Sequence, residues 1–175
     1  IPEFFDNVSE EELLRLGNRK EELYRELFKP ELSTVEGVIE FLEKAQKLGI
    51  KMAVATAAPI ENMEFILDGL DLRKYFTVIT TAADVQNGKP HPEGFLISAE
   101  KLGVEPQKCL VFEDAINGFE AAHRAGMKSV GIATVNSIET IMELPDIVVV
   151  KKDFIELDPA RLIENQLPET LIKVV

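Results

Sequence analysis

The sequence predicts an α/β fold, a mostly parallel sheet with helices on both faces. Three observations predict it. Short apolar runs alternate with amphipathic stretches of helical period, which requires crossover connections rather than hairpins. Gly and Pro punctuate the boundaries between these segments. Polar residues of distinct chemistry fall at the carboxyl ends of three apolar runs, where open α/β sheets bind ligands.

Ser9-Glu10-Glu11-Glu12 reads as a capping box, with Ser at the N-cap and Glu three residues on. It opens a helix to about Phe28 with Leu13, Leu16, Leu23 and Leu27 among its apolar positions, and Pro30 stops it. Ser33-Thr34-Val35-Glu36 is read as the start of a second helix, with Val38, Phe41, Leu42 and Ala45 inward and Gly49 at its end. Ile50 to Ala55 follows as a buried strand, then a helix from Pro59 to Leu67. Phe76 to Thr80 is a strand and Pro92 to Leu102 a helix closed by Gly103. Cys109 to Phe112 is a strand, and Ile116 to Ala125 a helix with Gly126 as its C-cap. Ser129 to Ala133 and Ile147 to Val150 complete the strands. No internal repeat or low-complexity segment is present, and the tail after Leu162 carries no readable chemistry.

A chain of 175 residues with 46% hydrophobic content supports one sizeable core and a small appendage. Nineteen Lys and Arg against 31 Asp and Glu give a formal charge of -12. That surface repels polyanions, so neither nucleic acid nor an anionic membrane is an expected partner. No apolar run reaches the length of a membrane span. The single Cys109, within an apolar strand pattern, reads as a small buried hydrophobe. One cysteine excludes an intrachain disulfide and suits a reducing, cytoplasmic location.

Thr56 ends its strand and precedes Ala57, Ala58 and Pro59 at a helix start. It can serve as an N-cap. Its hydroxyl, with free backbone N–H groups such as that of Ala57, can also grip a phosphate oxygen. Lys89 lies between Gly88 and Pro90, followed by His91 and Pro92, so its ammonium is held by a stiff turn. A fixed ammonium offsets the charge of a transferring phosphoryl group. His91 is read as a local hydrogen-bonding residue, and Asp84 as either a turn former or a site residue. Glu113 and Asp114 follow four apolar residues and precede a helix, for which Asp114 could be the cap. Two acids side by side repel, and a bound Mg²⁺ would relieve that repulsion. Asn117 and Gly118 could support this loop or merely pack.

In order and setting these motifs resemble the haloacid dehalogenase (HAD) superfamily, and within it the β-phosphoglucomutase-like phosphatase branch. The resemblance runs from about Glu11 to about Leu162. Its most specific parts are Gly88-Lys89-Pro90-His91-Pro92-Glu93-Gly94-Phe95 and the stretch from Phe112 to Met127. It implies a Rossmann-like core over residues 33–162, a partial helical cap over 1–32 and a tail over 163–175. It further implies that Thr56 and Ala57 bind the phosphoryl group, that Lys89 balances its charge, and that Glu113 and Asp114 hold Mg²⁺, Asp114 most directly. The implied activity is Mg²⁺-dependent hydrolysis of small phosphorylated metabolites through an aspartyl-phosphate. The alternatives are a sugar-phosphate mutase and an inactive binding domain. Ala58-Pro59-Ile60, where mutases of this branch carry polar residues that hold a second phosphate, argues for hydrolysis.

The family's Asp-x-Asp strand, which supplies the nucleophile and the general acid/base, has no counterpart here. Phe4-Phe5-Asp6-Asn7-Val8 lacks the second acid and is read as cap. A core without its central strand should show a slot with unpaired backbone and solvent-facing apolar side chains. The chain is therefore expected to be a piece of a longer protein, and otherwise one that has lost its nucleophile.

Overall fold

The computed structural model describes residues 9–166; the Phe4–Val8 segment lies outside them. Seven α-helices and five strands alternate among these residues. The helix α1 (Glu10–Phe28) opens with Ser9 at its N-cap, its side chain accepting from the Glu12 amide at 3.2 Å, which is the N-cap half of the box read in the sequence. None of its residues is fully buried; Leu13 and Leu16 are half-buried, and Leu23 and Leu27 are exposed.

The helix α2 (Val38–Lys47) starts five residues later than Ser33. Gly37 precedes it at φ 77°, and a Cβ there would come within 2.6 Å of the Ile155 amide nitrogen. The Phe154 amide donates to Glu36 O at 2.9 Å. Docking onto the segment at 154–155 thus keeps residues 33–37 out of a helix and overrides the local cap signal. The buried face is the one expected, Val38, Phe41, Leu42 and Ala45, and Gly49 follows at φ 71°.

The strands are β1 (Ala53–Ala55), β2 (Val78–Thr80), β3 (Leu110–Glu113), β4 (Lys128–Ile132) and β5 (Ile147–Lys151). Between them run α3 (Ile60–Gly69), α4 (Glu93–Leu102), α5 (Ile116–Arg124) and α6 (Ile138–Met142), and α7 (Pro159–Gln166) follows β5. Every pairing is parallel, as alternating strands and helices require. The sheet, however, is in two parts, β1-β2 and β3-β4-β5. Val54 sits opposite Ile79, and Phe112 opposite Val130, while no ladder joins β1 to β3.

The expectation that apolar side chains face solvent at this break is not met. Ala53, Val54 and Ala55 are 0–3% exposed, and Leu110, Val111 and Phe112 0–2%. Strand alternation sends Val54, Leu110 and Phe112 to one face, into a cluster with Phe41, Leu42, Met63 and Phe154. Phe41, Phe112 and Phe154 pack with ring centroids 5.2–5.6 Å apart. Ala53, Ala55, Cys109 and Val111 point to the other face, against Phe95, Ala99 and Ala122. Side chains packed on both faces therefore cover the strands that flank the break.

Candidate active site

Each parallel strand ends at the same rim, and the polar residues singled out in the sequence gather there. Thr56 continues the β1-β2 ladder, its amide donating to Thr80 O at 2.9 Å. Its hydroxyl is not the cap of α3. It accepts from the Ala58 amide at 3.1 Å, and Pro59 occupies the N-cap position without a side-chain bond. The Pro restricts the preceding residue to extended backbone, so the turn closes before the helix can begin. Thr56 is half-buried and lines a cavity of about 210 Å³ together with Ala57, Thr80, Thr81, Gly88 and Lys89.

Lys89 is 18% exposed at its side chain, and its Nζ stands 4.9 Å from the Phe95 ring centroid. The same ammonium donates to Glu113 Oε1. The turn that carries it is fastened by Glu93, at the start of α4. One carboxylate oxygen accepts from the Gln86 amide at 2.8 Å, and the other from the Asn87 amide and side chain, both at 3.0 Å. The backbone donation from Gln86 leads the influences that hold the Glu93 carboxyl below the usual carboxylate range. His91 lines the cavity wall, and its Nδ1 accepts from the Glu93 amide at 3.3 Å, a local role as read. Asp84 is a turn former: Oδ2 accepts from the Thr81 amide at 2.8 Å and hydroxyl at 2.9 Å.

Glu113 is buried, and both of its carboxylate oxygens accept hydrogen bonds. Oε1 takes Lys89, and Oε2 takes the amides of Asp114 at 2.9 Å and Ala115 at 3.2 Å. Space for this arrangement comes from Gly118 in α5, where any Cβ would overlap the Glu113 carboxylate. Asp114 is half-buried, and the cap position of α5 belongs to Ala115 instead. Asp114 Oδ2 accepts from the Thr134 hydroxyl at 2.7 Å, and its carbonyl accepts from Asn136 Nδ2 at 2.7 Å. Among the described residues Asp114 Oδ1 accepts no hydrogen bond.

The structure thus brings Thr56, Ala57 and Lys89 to one cavity and joins that cavity to Glu113 and Asp114 through the Lys89–Glu113 pair. Thr134, Asn136 and the part played by Gly118 escaped sequence reasoning. Nothing in local pattern links residues 134 and 136 to 114, and the Gly118 signal is legible only once Glu113 is seen to fold back.

A divalent cation fits this donor set in part. A hard cation takes oxygen ligands, and Asp114 Oδ1 offers one carboxylate oxygen at the rim. Both Glu113 oxygens are committed elsewhere. Among the described residues no three His, Cys, Asp or Glu side chains are placed to hold a metal ion, so Asp114 can be one corner of such a site and not the whole. No described helix is long and apolar enough to cross a membrane.

The family model for haloacid dehalogenase-like hydrolases matches residues 3–132. Over 141 residues the chain is 37% identical to a phosphorylated carbohydrates phosphatase of Thermotoga maritima, covering 79% of this chain and 63% of that protein. Over 114 residues it is 39% identical to a validoxylamine A 7'-phosphate phosphatase of Streptomyces hygroscopicus subsp. limoneus, covering 65% and 54%. The crystal structure of a β-phosphoglucomutase from Clostridium difficile superposes with a TM-score of 0.77 at 31% identity, covering 89% of this chain and 67% of that one. The chain therefore spans between about half and two thirds of the length of these relatives.

Proposed function

We propose, because the chain belongs to the haloacid dehalogenase-like hydrolase family, on its β-phosphoglucomutase-like branch, that it forms most of the core of a phosphatase acting on small phosphorylated metabolites. The observation that carries this reading is the Lys89–Glu113 pair, which ties the Thr56 cavity to Asp114 at one rim of the sheet. In the proposed division, residues 1–32 are part of a helical cap, 33–162 the core and 163–175 a tail.

Each residue has a task its geometry suits. The Thr56 hydroxyl and the Ala57 amide hold oxygens of the transferring phosphoryl group. The Lys89 ammonium, fixed by Glu113 and by the Phe95 ring, offsets charge on that group without having to reorganise. Asp114, through Oδ1, would be a ligand for Mg²⁺, with Glu113 holding the loop behind it. When bound, Mg²⁺ would neutralise phosphate charge at this rim. The nucleophilic Asp, which would form the aspartyl-phosphate, comes from a segment outside the described residues. The break between β1 and β3 supports that assignment, because the ladder is interrupted next to Thr56 and Glu113.

Supplying a hexose 1-phosphate to the full-length gene product and analysing the products tests this reading. Release of inorganic phosphate is the expected outcome. The β-phosphoglucomutase superposition favours a second reading, sugar-phosphate isomerisation. Against it stands the apolar Ala58-Pro59-Ile60 run, which offers no side-chain donor for a second phosphate. Isomerised sugar phosphate without phosphate release would replace the first reading by the second.

A further inference from the structure

We propose that Thr134 and Asn136, in the loop after β4, are positioning residues for the two acids at the end of β3, an inference that rests on the function proposed above. Asp114 stands at the mouth of a strand-to-helix turn, where a half-buried carboxylate could rotate freely. One of its oxygens is instead held by the Thr134 hydroxyl at 2.7 Å. That bond leaves Oδ1 as the oxygen open to a cation and restrains rotation of the carboxylate. Hydrogen bonds behind a metal ligand orient it in this way and sharpen its affinity.

Asn136 acts on the same turn from the backbone side. Its side-chain amide donates to the Asp114 carbonyl at 2.7 Å. That carbonyl and the Ala115 N–H belong to one planar peptide group and point in opposite directions. The Ala115 N–H donates to Glu113 Oε2 at 3.2 Å, and Glu113 Oε1 holds Lys89. Asn136 therefore grips one end of a rigid plane whose other end steadies the carboxylate that orients Lys89. The loop after β4 reaches the cation side of the site through Thr134 and the phosphate side through Asn136. Thr134 is exposed and Asn136 half-buried, so neither is needed to fill the core.

Titration calorimetry of the full-length gene product with Mg²⁺, alongside phosphate-ester hydrolysis, tests the inference. Thr134→Val removes the hydroxyl at nearly constant shape and should weaken Mg²⁺ binding about tenfold, the lower end for losing such a bond. Thr134→Ser should restore it. Asn136→Ala should weaken competitive inhibition by inorganic phosphate, because its effect travels through the Ala115 amide and Glu113 to Lys89. Unchanged Mg²⁺ affinity in Thr134→Val, where the wild type binds Mg²⁺ and hydrolyses its substrate, overturns the Thr134 role and leaves the proposed function standing. A weakened Thr134→Val that Thr134→Ser fails to rescue overturns it too, since packing rather than the hydroxyl would be responsible. Unchanged phosphate inhibition in Asn136→Ala removes Asn136 from the scheme. A wild type that binds no Mg²⁺ overturns the proposed function, and this inference falls with it.

Discussion

Gly118 leaves the space that the Glu113 carboxylate fills. Glu113 ends a buried strand and turns back over the first turn of α5, and a Cβ at position 118 would overlap its Oε1 and Cδ. Five residues on in sequence, this glycine decides whether the partner of Lys89 can be where it is.

Gly118→Ala should therefore destabilise the chain although Ala is the better helix former. Overpacking costs about 1–3 kcal/mol, against a propensity gain of about 1 kcal/mol, and displacing Glu113 also strips Lys89 of its partner. Urea denaturation of Gly118→Ala in two backgrounds separates these terms. In Glu113→Ala the overlap is gone, so the substitution should become neutral or stabilising. Equal destabilisation in both backgrounds would show that the Glu113 carboxylate is not what Gly118 accommodates.

Lys89→Ala in the full-length gene product should lower kcat by about 10²–10³, the range for deleting one preorganised charge-stabilising group. Lys89→Arg should recover little of it. The planar guanidinium cannot point one compact charge between Glu113, the Phe95 ring and the cavity as the ammonium does. Steady-state rates for the three proteins decide it, and near-normal turnover in Lys89→Ala would remove Lys89 from the site.

What the sequence made legible were features encoded by neighbours along the chain. The apolar runs ending in Ala53-Val54-Ala55 and Cys109-Leu110-Val111-Phe112 marked buried strands, and the motifs at Thr56, Lys89 and Glu113-Asp114 lie at one rim as their strand-end positions implied. What stayed hidden depends on distant contacts. Ser33 looks like a cap until Gly37 and Glu36 meet Phe154 and Ile155. Thr56 resembles a cap as well, yet its hydroxyl closes a turn before Pro59. Thr134 and Asn136 lie 20 and 22 residues from Asp114, and no periodicity connects them.

Acidification should loosen the turn that carries Lys89. The Glu93 carboxyl is held below its ordinary range chiefly by backbone donation from Gln86, with Asn87 assisting, and Asp84 is lowered likewise by Thr81. Depressed folded-state values mean that both groups stabilise the fold above the unfolded carboxylate range, about 4. That contribution is lost as pH falls through the folded values. Glu93→Gln should thus be less stable than wild type at pH 7, with the gap narrowing towards pH 3. Denaturation midpoints at both pH values measure it. A gap that widens in acid would mean that the ionised carboxylate contributes nothing to holding the turn.

The α1 helix should be the first element to open, and Asn62 should control it. With no fully buried residue of its own, α1 has little apolar area to hold it to α3. Asn62, 7% exposed on α3, joins the two helices by accepting from Arg25 Nη1 and donating to Glu21 Oε2, both at 2.6 Å. Bonds to charged partners contribute about 1.5–3 kcal/mol each. Arg25 and Glu21 are one helical turn apart and can re-pair with each other, so the net loss on Asn62→Leu should be nearer 1–2 kcal/mol. The loss is local. Hydrogen exchange should quicken across α1 in Asn62→Leu while β3 and β4 keep wild-type protection, because their pairing involves neither helix. Exchange that quickens equally in α1 and β3 would mean that Asn62 supports the core as a whole and not the docking of α1.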